Sequence, residues 1–525
     1  MEQFHISTLD LTVIGTYLLF IIWWGLKNGK SEDSQSYFLA GRSMPWWVVG
    51  LSLFAASISS TTLIGQSGDA YHTGLAVFNY NLTGIIVMIF FAVCILPLYL
   101  KSKIFTIPEF LEKRFDKRSR YYFSAICIIG NIFLDAAGAL YAAALIIKLI
   151  MPEADLQLII VVFAVIAASY TIPGGLSSAI NAEIIQAAIL ILGSIMLTTL
   201  CFMQGGEYFA DLFSNGDLSL KLIRPLFDNA TPWLGLIVGM PITGLYFWAN
   251  NQTLVQRVLS AKNIEEGRKG VIFTGFLTML TLVIIAIPGV IARHLFPGLE
   301  KPDMVYPNMV LNLMPIGLLG VMLAALLSAL TSTLSAILNS TSTLFTIDFY
   351  AQFNKKASSR KLVVVGKIAS CVIIILAALW APFIGYFGSL LKYYQEMLSY
   401  IAPPIVGAFL LGIFTKRTNA NGAFVGLIAG LVVAVSLLFF KNAIFGDMHF
   451  LYIVPILLIL SLIVMWTVSL FGPRPDNEKL MTTTFHYKDL KSEIASAYHS
   501  NWLSSYLFWA VILLVLSAFV WIIFS

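Results

Sequence analysis

Fourteen times along this chain a stretch of about 20 predominantly apolar residues appears, the length that crosses a bilayer as a helix. The stretches fall near 9–26, 46–70, 76–100, 121–149, 157–172, 178–203, 233–255, 271–294, 315–345, 362–383, 397–415, 421–440, 449–472 and 503–524. Lipid offers the backbone no hydrogen-bond partner, so each stretch must satisfy its own N–H and C=O groups as a helix. Only 11% of the 525 residues are charged and mean hydropathy is +0.86, against about 25% charged in soluble domains. The expected class is an all-α polytopic membrane protein, with the lipid bilayer as an obligate partner.

Basic residues orient the spans. The segment KSKIFTIPEFLEKRFDKRSR (101–120) carries seven, and loops 27–45, 257–270, 351–361, 416–420 and 473–502 bring that side to 24. The opposite loops hold seven, and Lys367 lies within a span. Basic loops stay cytoplasmic, so both termini are expected outside a plasma (inner) membrane. This asymmetry also accounts for the net charge of +5, which therefore does not point to nucleic acid. The four cysteines, Cys94, Cys127, Cys201 and Cys371, fall in apolar runs, so no disulfide framework is expected. The N-terminus lacks a basic n-region, and no cleavable signal peptide is expected. Loops 204–232 and 473–502 are too short for a core of their own. Residues 1–525 therefore read as a single transmembrane domain.

Two spans carry helix-breaking residues. SLFAASISSTTLIGQSG (52–68) is rich in small and hydroxylated residues, and PITGLYFWANNQ (241–252) holds Gly244, Asn250 and Asn251 at mid-membrane. Interrupted helices survive in a bilayer where they line a cavity, although small residues also serve close helix packing. Four spans separate the breaks, so 46–203 and 233–415 can be two equivalent five-helix units, after a leading helix 9–26 and before three helices in 421–524. Matching breaks in two halves point to the binding site of an inverted-repeat transporter.

AALLSALTSTLSAILNST (324–341) packs seven hydroxyls and one amide into an apolar run. Ser328, Ser332 and Ser335 share one helical face, with Thr333 beside Ser332. Hydroxyls and freed carbonyls suit an alkali cation, whereas a divalent ion would call for carboxylates, and none lies in 319–347. Such residues also bond their own i−4 carbonyls or join helices, so spacing alone leaves both roles open.

The chain resembles the solute:sodium symporter family, most closely its sodium/glucose cotransporter branch. The resemblance runs in order through YFLAGRSMPWW (37–47), FTIPEFLEKRF (105–115), YTIPGGLSSAI (170–180), QRVLSAKN (256–263), LNSTSTLFTIDFY (338–350) and APPIVGAFLLGIFTKR (402–417). It implies a LeuT-type 5+5 inverted-repeat core with about fourteen transmembrane helices and external termini. It further implies a sodium site at the carbonyls of Ala55, Ile58 and Ala329 and the hydroxyls of Ser332 and Thr333. Some relatives have a second sodium site built on an Asp. Here Glu183 stands in its place, and Ser332 and Ser335 would complete it, unless Glu183 is a protonated acid bonded to a neighbouring helix.

The family's substrate contacts map onto Thr62, Asn81, Gly244, Thr278 and Gln395, with Trp248 as aromatic platform, Phe247 at the inner gate and Gln66, Tyr80 and Leu391 at the outer gate. Of the five contacts in sugar-transporting relatives only the last is retained, and both charged ones are lost. Asp135, an acid deep in its span, is a candidate replacement that would grip hydroxyls or an amine, or a buried acid bonded to a neighbouring Ser or Asn.

No HExxH, GxSxG or DxD motif lies at membrane depth, and all six histidines sit at span ends or in loops, so an enzyme is not expected. No Lys or Arg lies in either broken segment, which disfavours an anionic solute. The expectation is a sodium-coupled symporter that imports a small neutral polyhydroxylated solute, a sugar or polyol, by alternating access. The alternatives are a symporter for an amino sugar, amino acid, sialic acid or monocarboxylate, and a sodium-permeable channel.

Overall fold

Apolar runs of about 20 residues satisfy their own backbone as helices in lipid, and the described chain is helical almost throughout. The computed structural model describes residues 6–28, 33–58, 61–151, 153–228, 231–387, 390–499 and 502–525. Side chains are described within these except at 61, 149–150, 387, 390–392, 438, 442, 493 and 496–499.

Among the described residues eleven helices are long and apolar enough to cross a membrane, twelve if the bent pair Trp46–Ser57 and Thr62–Thr73 is one span. The difference from fourteen has two physical sources. The 59-residue helix Leu156–Ser214 contains both expected spans 157–172 and 178–203. A straight helix of that length would reach about 90 Å, three bilayer cores. Gly175 breaks it instead, with φ 63° and ψ −155°. A Cβ there would lie 2.6 Å from the Tyr37 carbonyl oxygen, so glycine is required twice over. The expected span 233–255 is divided into Trp233–Val238, Met240–Leu245, a π-helical turn Tyr246–Asn250 and Gln252–Leu259, with Asn251 in extended backbone.

Burial separates centre from periphery. The most apolar window of Leu318–Phe353 is 94% buried, against 17% for Thr8–Lys27 and 22% for Tyr506–Ile523. The hydroxyl-rich helix Leu318–Thr343 is therefore the axis of the molecule, and the first and last spans face lipid. Polar groups on that axis fasten its neighbours. Ser328 pairs with the Tyr17 hydroxyl, and the Tyr170 hydroxyl donates to the Thr331 carbonyl at 3.0 Å. Asn131 Nδ2 donates to Ser340 and Thr341 at 3.1 and 2.9 Å.

Candidate functional site

Both broken helices open onto one central cavity holding about 1040 Å³ of space free of protein atoms, solvent included. Thr62, Gln66, Tyr80, Asn81, Asp135, Phe247, Trp248, Thr278 and Gln395 all line it, so residues spread over more than 330 positions of sequence meet around one space. Gly244 lines it too; the side chain of Leu391 lies outside the described residues. Among the described lining residues there is no Lys, Arg or His, and Asp135 is the single carboxylate.

Local geometry explains how each group is held. Ile58 leaves the helix with ψ 81°, so its carbonyl turns off the ladder, while Thr62 Oγ1 donates to the Ser57 carbonyl at 3.0 Å. Gln66 and Asn81 form a reciprocal amide pair at 3.0 and 3.1 Å, and Asn81 Nδ2 also donates to Thr281 Oγ1 at 2.7 Å. Trp248 lies edge-to-face with Phe247, ring centroids 5.1 Å apart. Its indole nitrogen comes within 2.6 Å of where a Cβ on Gly84 would sit, so the glycine makes room for the platform. Asp135 accepts a hydrogen bond from the Tyr394 hydroxyl; the expected Ser or Asn partner is a tyrosine.

Ala55, Ile58, Ala329, Ser332 and Thr333 are all buried. Ser332 Oγ and Thr333 Oγ1 both donate to the Ala329 carbonyl, at 2.9 and 3.0 Å. Their protons are thus spoken for, and the oxygens keep lone pairs. Ile58 and Thr333 also line the central cavity, so the expected cation position and the cavity share a wall. Among the described residues no group of three or more His, Cys, Asp or Glu is arranged to hold a metal ion.

Glu183, the expected anchor of a second sodium, has two protein partners in the structure. Arg257 Nη2 lies 2.7 Å from Glu183 Oε1, with both side chains fully buried, and Ser52 Oγ donates to Glu183 Oε2. A guanidinium thus faces the Glu183 side chain, and Ser52 ties it to a neighbouring helix. Ser335 is buried on the axis helix, its carbonyl accepting Asn339 Nδ2 at 3.0 Å.

Four participants were not singled out by the sequence: Gly84, Thr281, Tyr394 and Arg257. Arg257 lies in the QRVLSAKN motif, and a basic residue at the end of a broken span is a readable signal. The other three carry none that periodicity could reveal.

A family model described as the sodium:solute symporter family matches residues 37–430. The chain is 34% identical to sodium/glucose cotransporter 1 of Ovis aries, covering 88% of this chain and 78% of that protein. It is 33% identical to sodium/myo-inositol cotransporter 2 of Mus musculus, covering 91% and 79%. In fold it is similar to a Na+-coupled sialic acid symporter solved in a substrate-bound outward-open state, with TM-score 0.80, 23% identity and coverage of 90% and 99%. A nucleobase-cation-symport-1 family transporter solved in a closed conformation superimposes with TM-score 0.53 at 15% identity, covering 86% and 99%.

Proposed function

The chain belongs to the sodium:solute symporter family, and on that footing we propose that it imports a small neutral polyhydroxylated solute, a sugar or polyol, driven by sodium. One observation carries the proposal: a cavity lined by amides, hydroxyls, one carboxylate and an indole, with no cationic side chain among the described lining residues, shares Ile58 and Thr333 with the buried hydroxyl pair. Neutral donors and acceptors around an aromatic face suit a sugar ring. Relatives named for glucose and for myo-inositol support the same solute class.

In this reading sodium is held by the carbonyls of Ala55, Ile58 and Ala329 and the hydroxyls of Ser332 and Thr333. The Ala329 carbonyl now accepts both hydroxyls, so ion entry rotates their protons away and turns three oxygens toward one centre. The ion then fixes the break at Ile58 against the axis helix, and Thr62 and Gln66, four and eight residues on, are set for the solute. Trp248 stacks on the ring, Gln395, Thr278 and the Gln66–Asn81 pair fix its hydroxyls, and Asp135 accepts from a donor-rich edge. One sodium accompanies each solute, because Arg257 neutralises Glu183. Residues 46–203 and 233–415 act as the two repeats, with both termini outside the cell. Asp135 also favours a second reading, an amine-bearing sugar.

The test is a binding screen of neutral sugars, polyols and amino sugars by thermal stabilisation, with sodium and with potassium. A neutral polyhydroxylated compound that stabilises only with sodium is the expected result. Sodium-dependent stabilisation by charged amines alone would replace the first reading with the second.

A further inference from the structure

On the basic side of the molecule, away from the central cavity, a second hollow holds about 920 Å³ of space free of protein atoms, solvent included. Three connectors build it, and each brings one cation: Arg42, Lys103 and Lys262. The amides of Gln35 and Asn263 join them, and among the described lining residues there is no carboxylate.

The connectors are fixed to one another. Met44 N–H donates to the Ser260 carbonyl and Lys262 N–H to the Met44 carbonyl, both at 3.0 Å. Arg42 Nη2 donates to the Ile104 carbonyl at 2.8 Å, and its guanidinium lies over the Phe105 ring. Arg42 and Lys103 hold φ of 52° and 49°, a region disfavoured for side-chain-bearing residues and kept only where surroundings over-determine it. The backbone carrying Arg42 and Lys103 is therefore held by its surroundings, and the Arg42 guanidinium is fixed by Ile104 and Phe105.

They also lack sufficient counter-charge. Neither Lys103 nor Lys262 takes part in an ion pair or side-chain hydrogen bond among the described residues. The nearby acids are committed elsewhere: Glu109 to Lys113 and the Phe105 N–H, Glu265 to Lys269, Glu266 to the Trp46 N–H. Burial lowers the Arg42 pKa, and Glu109 works against that shift. Three cations around a hollow with no carboxylate among its described lining residues match a tetrahedral oxyanion.

Trp46 and Trp47, 39% and 45% exposed, directly follow this connector. Exposed tryptophans sit at the membrane–water interface, which places the hollow at headgroup depth. We propose that Arg42, Lys103 and Lys262 bind a phosphate group, supplied by the headgroup of an anionic phospholipid of the adjoining leaflet.

The test uses the full chain in phosphatidylcholine nanodiscs, titrated with short-chain phosphatidylglycerol and, separately, with inorganic phosphate. Binding is read from the concentration dependence of the thermal unfolding midpoint. The double variant Lys103→Gln, Lys262→Gln should weaken phosphatidylglycerol binding about thirtyfold, the ratio equivalent to about 1 kcal/mol per lysine. The control Lys355→Gln, Lys356→Gln, exposed on the same basic side, should leave it unchanged. Phosphatidylglycerol binding without phosphate binding supports the lipid source. Binding of both ligands, lost together in the first variant, supports the same site with free phosphate as its source. Equal binding by wild type and the Lys103, Lys262 variant, or equal loss in the control, overturns the proposal.

Discussion

Arg257 and Glu183, 74 residues apart in sequence, form an ion pair 2.7 Å long with both side chains fully buried. Ser52 closes it from a third helix, so the end of one broken span, the start of the other and the helix after Gly175 meet at one charge pair. Removing one partner of such a pair leaves an uncompensated buried charge, at about 3–5 kcal/mol. Glu183→Gln should lower stability by that order, and Arg257→Gln added to it should recover part of the loss. Chemical or thermal unfolding of the single and double variants checks this; additive losses would contradict it.

The same pairing makes a prediction about stoichiometry under the proposed single-sodium reading. With Glu183 neutralised by Arg257, solute uptake should rise hyperbolically with sodium, at a Hill slope near one. Initial rates measured across sodium concentrations decide it, and a slope near two would return Glu183, Ser332 and Ser335 to consideration as a second site.

Ser332→Ala and Thr333→Ala each remove one oxygen from the proposed sodium position. Interactions of this kind with a charge are worth about 1.5–3 kcal/mol. The sodium concentration for half-maximal uptake should therefore rise roughly 10- to 150-fold, with little change in folding, since each hydroxyl now bonds only a carbonyl within its own helix. Unaltered sodium dependence in both variants would remove these residues from the site.

Much of the architecture was legible because apolar runs of about 20 residues can satisfy their backbone in lipid only as helices and because amides at mid-span mark breaks. Asn250 and Asn251 announced the interruption at 251 in this way, and Gly244 joined the lining of the cavity. The hydroxyl run 324–341 announced a polar axis, but not which hydroxyls face a cation and which fasten Tyr17 or Asn131. Pairings between distant helices were beyond reach. Periodicity reports the faces of one helix and says nothing about what meets them, so Asp135 with Tyr394, Glu183 with Arg257, and Gly84 beneath Trp248 appear only in three dimensions.

Gly84→Ala tests the aromatic platform without touching the solute. Alanine favours the helix by about 1 kcal/mol, yet its Cβ would meet the Trp248 indole nitrogen at 2.6 Å. Overpacking of this kind costs about 1–3 kcal/mol, so solute affinity should fall about 5- to 150-fold while the protein folds and inserts normally. Affinity equal to wild type would mean that Trp248 does not carry the ring.

The most direct measurement is uptake of labelled glucose and myo-inositol into proteoliposomes holding the purified protein, under an inward sodium gradient and an inside-negative potential. One sodium gains about 2.3 kcal/mol per 100 mV and about 1.4 kcal/mol per tenfold gradient, enough to concentrate a neutral solute by nearly three orders of magnitude. The account predicts accumulation of at least one such solute above its external concentration with sodium, no accumulation with potassium, and release when a sodium ionophore collapses the gradient. Uptake that merely equilibrates, or that proceeds equally in potassium, would contradict it.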